Sequence, residues 1–280
     1  MAEAVRTAEL RVLDGPNVYF PRPTIKLTLD VSGWLRAGQE RAAEAARIAG
    51  VAGLEPGAPG SERRLRLAAR VAVQLARRIA REAGTGRLAV RGRTGPEPGQ
   101  IVLAFPWRRR GSAEALARAV ATATGAILRR RSLDRLVRDL VREVLAADPG
   151  PEPEVPDPDL PVIQVTGTNG KTTTTRLIAH IAIGAGRRVA YSSTDGVYRN
   201  GRRVLSGDYS GFGGAATALA QHPDLAVLET ARGGILLRGI GVLHNDVAVV
   251  TNVSADHLHL QGISTVDQLA EVKATITRIT

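Results

Sequence analysis

The spacing of hydrophobic residues changes along this chain and predicts two parts with different architecture. Before residue 149, segments with strand-like spacing occur beside amphipathic helical stretches, the longest of which runs from Ser61 to Gly84. The predicted strands of this part are residues 10–13, 24–31, 88–90 and 101–105. Strands and helices that are grouped rather than alternating predict an α+β domain over residues 1–148.

After residue 161, short apolar strands alternate regularly with helical segments. The predicted strands are residues 162–165, 188–192, 225–228 and 246–250. This alternation predicts an α/β domain over residues 162–280, with a mostly parallel sheet and ligands at the carboxyl ends of its strands. Between the two parts, residues 149–161 carry proline at nearly every second position, which predicts an extended linker.

A glycine-rich motif that can bind an anion follows the first of these strands. Residues 162–175 read VIQVTGTNGKTTTT, an apolar run, a glycine-rich turn and then a lysine and threonines at a helix start. This order is typical of a phosphate-binding P-loop, although Val165 stands where the first glycine of the full G-x-x-x-x-G-K-[ST] signature would be. Glycines let backbone N–H groups approach an anion, and the helix N-terminus adds further donors. The candidate ATP-binding residues are Gly167, Thr168, Asn169, Gly170, Lys171, Thr172 and Thr173, and Thr172 is also a candidate Mg²⁺ ligand.

Lysine is rare in this chain, which makes each lysine informative. Lys26, Lys171 and Lys273 are the three lysines among 38 basic residues, so arginines number 38 − 3 = 35. Lys171 can supply a compact charge to phosphate oxygens, which a planar guanidinium does not. Lys273 is either a nitrogen that can lose its proton and react or an ordinary solvated helix lysine.

Two further strand ends carry candidate metal ligands. Glu229 directly follows the apolar run 225–228 and is well placed for Mg²⁺, the alternative being a surface acid. His257 follows the strand predicted at 246–250, and it is either a metal or phosphate ligand or a structural histidine.

Composition narrows the classes of function. The net charge of +11 and the arginine triplets at 108–110 and 129–131 would suit nucleic acid, but 3% aromatic residues leave few stacking platforms, so nucleic-acid binding is not favoured. The absence of cysteine excludes disulfides and thiolate metal sites. No apolar run approaches the roughly 18 residues of a membrane span, and we expect a cytoplasmic protein without a membrane partner.

These motifs, in this order, resemble the Mur ligase family. The family signal is TGTNGKTTT at 166–174, Glu229 after its strand, and TNVSADHL at 251–258. A longer set of segments resembles the cyanophycin synthetase branch of that family, namely residues 193–198, 207–208, 228–236 and, near the start, 13–17. The resemblance extends over residues 162–273 and, more weakly, over 8–125.

The resemblance implies an ATP- and Mg²⁺-dependent ligase that joins an acid to an amino acid. ATP would phosphorylate a free carboxylate of an amino-acid or peptide substrate, and an amine would attack the acyl phosphate. By position, Lys171 and its loop would hold the phosphates, and Thr172 and Glu229 would hold Mg²⁺. His257 would bind a second Mg²⁺, supported by a carbamylated Lys273.

The chain also departs from that branch of the family. An ATP-grasp domain usually separates its N-terminal and ligase domains, whereas here the proline-rich linker takes that place, so we expect the aspartate-adding half-reaction to be absent. Because the chain stops at Thr280, we expect an incomplete central domain that is inactive by itself. His259 replaces the residue that often follows DHL. Two alternatives stay open: a non-catalytic nucleotide-binding or regulatory partner, acting with a separate ATP-grasp subunit or as a homo-oligomer, and an arginine-rich nucleic-acid binder.

Overall fold

The computed structural model describes residues 4–51, 53–129, 132–256, 258 and 260–280. The chain divides into two compact units. Unit 1 comprises Met1–Val12 and Ile25–Glu152, and unit 2 comprises Leu13–Thr24 and Pro153–Thr280. The division at residue 152 falls within the predicted linker. The predicted N-terminal domain, residues 1–148, does not include residues 13–24 in the structure. The backbone of this segment forms hydrogen bonds with residues 238 and 240, and the segment therefore belongs to unit 2.

Unit 1 is an α+β structure built on a sheet with strand order β1-β2-β4-β3. Its strands are β1 (Arg6–Leu13), β2 (Thr24–Asp30), β3 (Arg91–Thr94) and β4 (Gln100–Pro106). Its helices are α1 (Ser32–Arg36), α2 (Gln39–Ile48), α3 (Glu62–Glu82), α4 (Arg110–Ala126) and α5 (Asp134–Ala146). A continuous hydrophobic core joins the helices to the sheet.

The longest helix of unit 1 forms where the sequence predicts it. Ser61 caps α3 by accepting a hydrogen bond from the backbone N–H of Arg64, and the helix buries an apolar stripe that includes Leu67, Val71, Leu75 and Ile79. The strand predicted at 88–90 is wrong. The strand is β3, and its register pairs Arg91 with Ala104 and Thr94 with Ile101, because the turn that closes this hairpin fixes which residues can pair.

Unit 2 has the predicted α/β architecture, with strand order β10-β5-β9-β6-β7-β8. The four strands β10, β5, β9 and β6 are parallel, and β7 and β8 are antiparallel at one edge. The strands are β5 (Val162–Thr166), β6 (Val189–Ser193), β7 (Gly196–Arg199), β8 (Arg202–Ser206), β9 (Leu225–Glu229) and β10 (Val247–Val250). The helices are α6 (Lys171–Gly184), α7 (Phe212–Leu219), α8 (Arg232–Leu237) and α9 (Val266–Lys273).

Both faces of this sheet are covered, as expected for a doubly wound domain. One hydrophobic cluster lies on the α6 side and includes Val165, Ala179 and Val227, and the other lies on the opposite side. Thr265 and Gln268 form the predicted capping box at the start of α9. Among the helices of the described residues, none combines the length and apolarity needed to cross a bilayer.

Candidate functional site

The loop between β5 and α6 adopts a conformation that requires glycine. Gly170 caps α6 in the left-handed region with φ 80°, and Gly167 has φ 154°. A Cβ added at Gly167 would lie 1.8 Å from Oγ1 of Thr251. The turn therefore brings its backbone against the neighbouring segment more closely than any side chain would allow.

The segment after β10 holds this loop from the side. Thr168 N–H donates to the carbonyl oxygen of Asn252 at 2.9 Å, and Asn169 N–H donates to Oδ1 of Asn252 at 3.2 Å. The hydroxyl of Thr251 donates to the carbonyl oxygen of Asn169 at 2.6 Å, and Ser254 N–H donates to Oγ1 of Thr168 at 3.1 Å. Strand ends β5 and β10 are neighbours in the sheet, so the two motifs form one structural feature.

Lys171 is the first residue of α6 and is half-buried. Its Nζ donates to the carbonyl oxygen of Thr168 at 3.0 Å, so the side chain folds back across the loop. Thr172 is half-buried beside it, and Thr173 is exposed on the first turn of the helix.

Glu229, the last residue of β9, lies directly beside Thr172. The carboxylate is 2% exposed, and its Oε2 accepts hydrogen bonds from Oγ1 of Thr172 at 2.9 Å and from Thr194 N–H at 3.4 Å. Its Oε1 is buried and has no hydrogen-bond partner within the described parts of the chain. Burial raises the pKa of Glu229, and these hydrogen bonds and the charge of Lys171 only partly oppose that rise. The surface-acid alternative is therefore wrong.

Thr194 is a site residue that the sequence motifs do not identify. It follows β6, and its hydroxyl lies 3.1 Å from the hydroxyl of Thr172. The signal was available, because the carboxyl ends of neighbouring parallel strands meet at the same edge of a sheet. The chain therefore places Thr194 beside Glu229 through the pairing of β6 with β9.

Lys273, the last residue of α9, is 3% exposed, which excludes the alternative of a solvated helix lysine. Burial, followed by the positive charges of Lys171 and Arg232, lowers its pKa to about 8, and Asp256 partly opposes this shift. Lys273 is thus close enough to Lys171 to sense its charge.

His257 and His259 lie outside the described residues. Within the ranges that are described, no group of three or more His, Asp or Glu side chains is arranged to hold a metal ion. The placement of His257 against a second metal therefore stays a prediction.

The buried amine of Lys273 should make stability depend on pH. Its pKa in the folded protein is about 8, against an ordinary value of 10.5, so the unfolded chain binds the proton more tightly. Between these two values the free energy of unfolding should rise with pH, by up to about 1.4 kcal/mol per pH unit, and below the folded pKa this contribution should be constant. Urea unfolding from pH 7 to 10.5 measures this. The rise should be smaller in Lys273→Met, and identical profiles for the two proteins would contradict the buried, destabilised charge.

The parallel strands, the glycine loop and the lysine at the start of α6 define unit 2 as a P-loop α/β domain. Residues 165–279 match the family described as "Mur ligase middle domain". This part of the chain is therefore similar to the middle domain of Mur ligases.

Curated relatives agree with that assignment. Cyanophycin synthetase of Synechocystis sp. is 51% identical over 121 residues, which are 43% of this chain and 14% of that protein. UDP-N-acetylmuramoylalanine--D-glutamate ligase of Streptococcus sanguinis is 32% identical over 120 residues, 43% of this chain and 23% of that protein. The chain therefore spans less than a quarter of the length of either relative. A solved UDP-N-acetylmuramoyl-L-alanyl-D-glutamate--2,6-diaminopimelate ligase aligns with a TM-score of 0.37 and 25% identity, over 60% of this chain and 36% of that one.

Proposed function

We propose that this chain acts in ATP- and Mg²⁺-dependent formation of an amide bond between a carboxylate of an amino acid or peptide and an amine. The names of its relatives, a synthetase and a ligase, support this reaction class. The observation that carries the proposal is the buried carboxylate of Glu229, with one unpartnered oxygen, beside the P-loop hydroxyl of Thr172. P-loop enzymes hold Mg²⁺ with the hydroxyl of the loop and a carboxylate at a strand end, so this pair supports the Mg²⁺- and ATP-dependent part of the proposal.

The loop residues suit the phosphates of ATP. Gly167 and Gly170 leave backbone rather than side chains facing the turn, and α6 is a helix of 14 residues whose first N–H groups point toward it. Lys171 supplies a mobile positive charge at the same place. Thr168 and Asn169 complete the proposed binding set by holding the loop in shape, since their N–H groups donate to Asn252, and Thr173 adds an exposed hydroxyl on the first turn of α6.

The pair formed by Thr172 and Glu229 suits Mg²⁺. This ion prefers oxygen ligands, and the pair offers a hydroxyl and a carboxylate within 2.9 Å of each other. A cation beside Glu229 would favour the ionised form of this carboxylate, which burial alone disfavours. The metal ion would then be bound by Oε1 of Glu229, which otherwise has no partner.

ATP would supply the phosphoryl group that activates the acceptor carboxylate, with Mg²⁺ offsetting its charge. Lys171 would stabilise negative charge that develops on the phosphoryl oxygens, and Glu229 would keep Thr172 oriented. Lys273, with a pKa of about 8, is partly neutral near neutral pH, and the neutral amine is the form that reacts with CO₂. This supports the proposal that Lys273 is carbamylated and, with His257, serves a second Mg²⁺.

The test of the proposed function is release of inorganic phosphate from ATP in the presence of Mg²⁺. We expect the release to require both an amino acid and a carboxylate acceptor and to disappear in Lys171→Ala. Phosphate release that is indifferent to both substrates would indicate a nucleotide hydrolase. Binding of ATP without any turnover would favour the non-catalytic alternative.

Glu229→Gln should remove the Mg²⁺-dependent part of ATP binding while leaving the fold intact. The amide keeps a hydrogen-bond acceptor for Thr172 but loses the charge that attracts a metal ion. Calorimetric titration of ATP with and without Mg²⁺ measures the difference. Glu271→Gln is the matched control, because that glutamate is exposed and pairs with Arg278. If Mg²⁺ tightened ATP binding equally in wild type and Glu229→Gln, Glu229 would not be a metal ligand.

A further inference from the structure

The loop of residues 13–17 lies in unit 2 but takes no part in the site described so far. Asn17 organises it and is 1% exposed. Its Nδ2 donates to the carbonyl oxygens of Gly15 and Arg22 at 2.9 and 3.0 Å, and its Oδ1 accepts from the N–H groups of Tyr19 and Phe20 at 3.0 and 3.2 Å. One buried side chain therefore fixes the loop as a rigid turn.

This turn is bonded to the segment that follows α8. Gly15 N–H donates to the carbonyl oxygen of Arg238 at 3.0 Å, and Ile240 N–H donates to the carbonyl oxygen of Pro16 at 2.6 Å. Nε and Nη2 of Arg238 both donate to Oδ2 of Asp14, at 2.8 and 2.6 Å. The Arg238 guanidinium also lies over the ring of Phe212, 4.3 Å from its centroid, at the start of α7.

The packing around this contact is backbone against backbone. A Cβ at Gly15 would lie 1.8 Å from the carbonyl oxygen of Ile240, and one at Gly241 would lie 2.3 Å from that of Phe212. On the other side of α7, a Cβ at Gly214 would lie 1.8 Å from the carbonyl oxygen of Tyr209. Because no flexible side chains separate these segments, a shift of one must displace the next.

Both segments that the loop holds lead directly into the candidate site. The segment that ends at Arg238 begins, before α8, at Ala231, which is two residues after Glu229. The N–H of Ala231 donates to the carbonyl oxygen of Ser210 at 2.8 Å. The segment from Phe212 runs back to Asp208, which lies close enough to Glu229 to raise its pKa. The carboxylate is thus at one end of this packed region and residues 13–17 are at the other.

We infer that residues 13–17 are a positioning element of the Mg²⁺ site: their hydrogen bonds with Arg238 and Ile240, and the packing of Arg238 on Phe212, fix the two segments that place Glu229. The inference rests on the proposed function for its metal, but its mechanical part stands on the contacts alone. The contribution of the loop is to hold Glu229 beside Thr172.

Gly15→Ala, in the full 280-residue chain, tests this inference. The added methyl group cannot fit against Ile240, so the loop must move away from Arg238. Amide hydrogen exchange over residues 232–241 should become about tenfold faster or more, whereas residues 162–166 of β5 should be unchanged. The Mg²⁺-dependent tightening of ATP binding should fall by about tenfold, while ATP binding without Mg²⁺ stays within about twofold.

Gly213→Ala is the matched control, because nothing lies within 4 Å of a Cβ added there. It should match wild type in both measurements. Asp14→Asn is the second variant if Gly15→Ala does not fold. It keeps the shape of the turn and weakens the contact with Arg238. Hydrogen exchange and Mg²⁺-dependent ATP binding should change in the same directions as in Gly15→Ala, but by less.

The outcomes separate the inference from the proposed function. If wild type does not bind ATP, the proposed function fails, and hydrogen exchange alone decides the positioning role. Unchanged exchange over residues 232–241 in a folded Gly15→Ala or Asp14→Asn protein would overturn the inference. The inference would also be overturned if hydrogen exchange over residues 232–241 became faster while Mg²⁺ tightened ATP binding as much as in wild type. The contact would then stabilise the fold without positioning Glu229.

Discussion

Lys171→Ala should weaken ATP binding by about tenfold or more, equivalent to about 1.4 kcal/mol or more. The lysine is the first residue of α6 and reaches over the glycine loop, where it would meet the terminal phosphates of ATP. Alanine removes this charge without disturbing the helix, since alanine has a high helix propensity. Calorimetric titration of ATP into the two proteins, at one salt concentration, measures the difference.

Two further variants sharpen this result. Lys26→Ala removes a lysine of unit 1 that pairs with Glu9, and it should leave ATP affinity unchanged. Lys171→Arg keeps the charge but replaces a compact ammonium with a planar guanidinium, and it should not restore wild-type affinity. Equal affinities for wild type and Lys171→Ala would remove the P-loop assignment altogether.

Lys273→Arg should abolish ligation, and it should also lower stability, because the larger guanidinium keeps its charge at this buried position. If Lys273 carries a carbamate that supports the second metal ion, arginine cannot replace it, because the guanidinium stays protonated and does not react with CO₂. Amino-acid-dependent phosphate release measures activity. Carbon NMR with ¹³C-labelled bicarbonate should show a carbamate signal in wild type that is missing from the variant.

Rescue distinguishes this role from simple packing. Lys273→Ala leaves space at a buried position, and short carboxylic acids should partly restore activity by placing an anionic oxygen there. Lys26→Arg, the control, should keep both activity and the carbamate signal. Wild-type turnover of Lys273→Arg would leave Lys273 as a buried structural lysine.

The sequence predicted those parts of the site that local pattern determines. The strand β5, the start of α6 at Lys171 and the capping box of Thr265 with Gln268 each depend on residues within a few positions of one another. The parallel arrangement of β5, β9 and β10 is likewise confirmed, because buried strands alternating with helices leave few other arrangements.

The features that the sequence did not predict depend on distant residues. The edge strand β8 is exposed at every position and so has no alternation to identify it. Thr194 becomes a site residue only because β6 pairs with β9. Residues 13–24 join unit 2 through contacts with residues more than 200 positions away, and the turn signal at 14–17 does not reveal its partner.

The hydrogen bond from Lys171 to the carbonyl oxygen of Thr168 uses one of the three N–H donors of the ammonium group. It holds the charged group over the glycine loop, and the other two N–H groups can still donate to phosphate oxygens. A lysine side chain that is already ordered in this way loses less conformational entropy when an anion binds, so one backbone oxygen would strengthen phosphate binding through preorganisation.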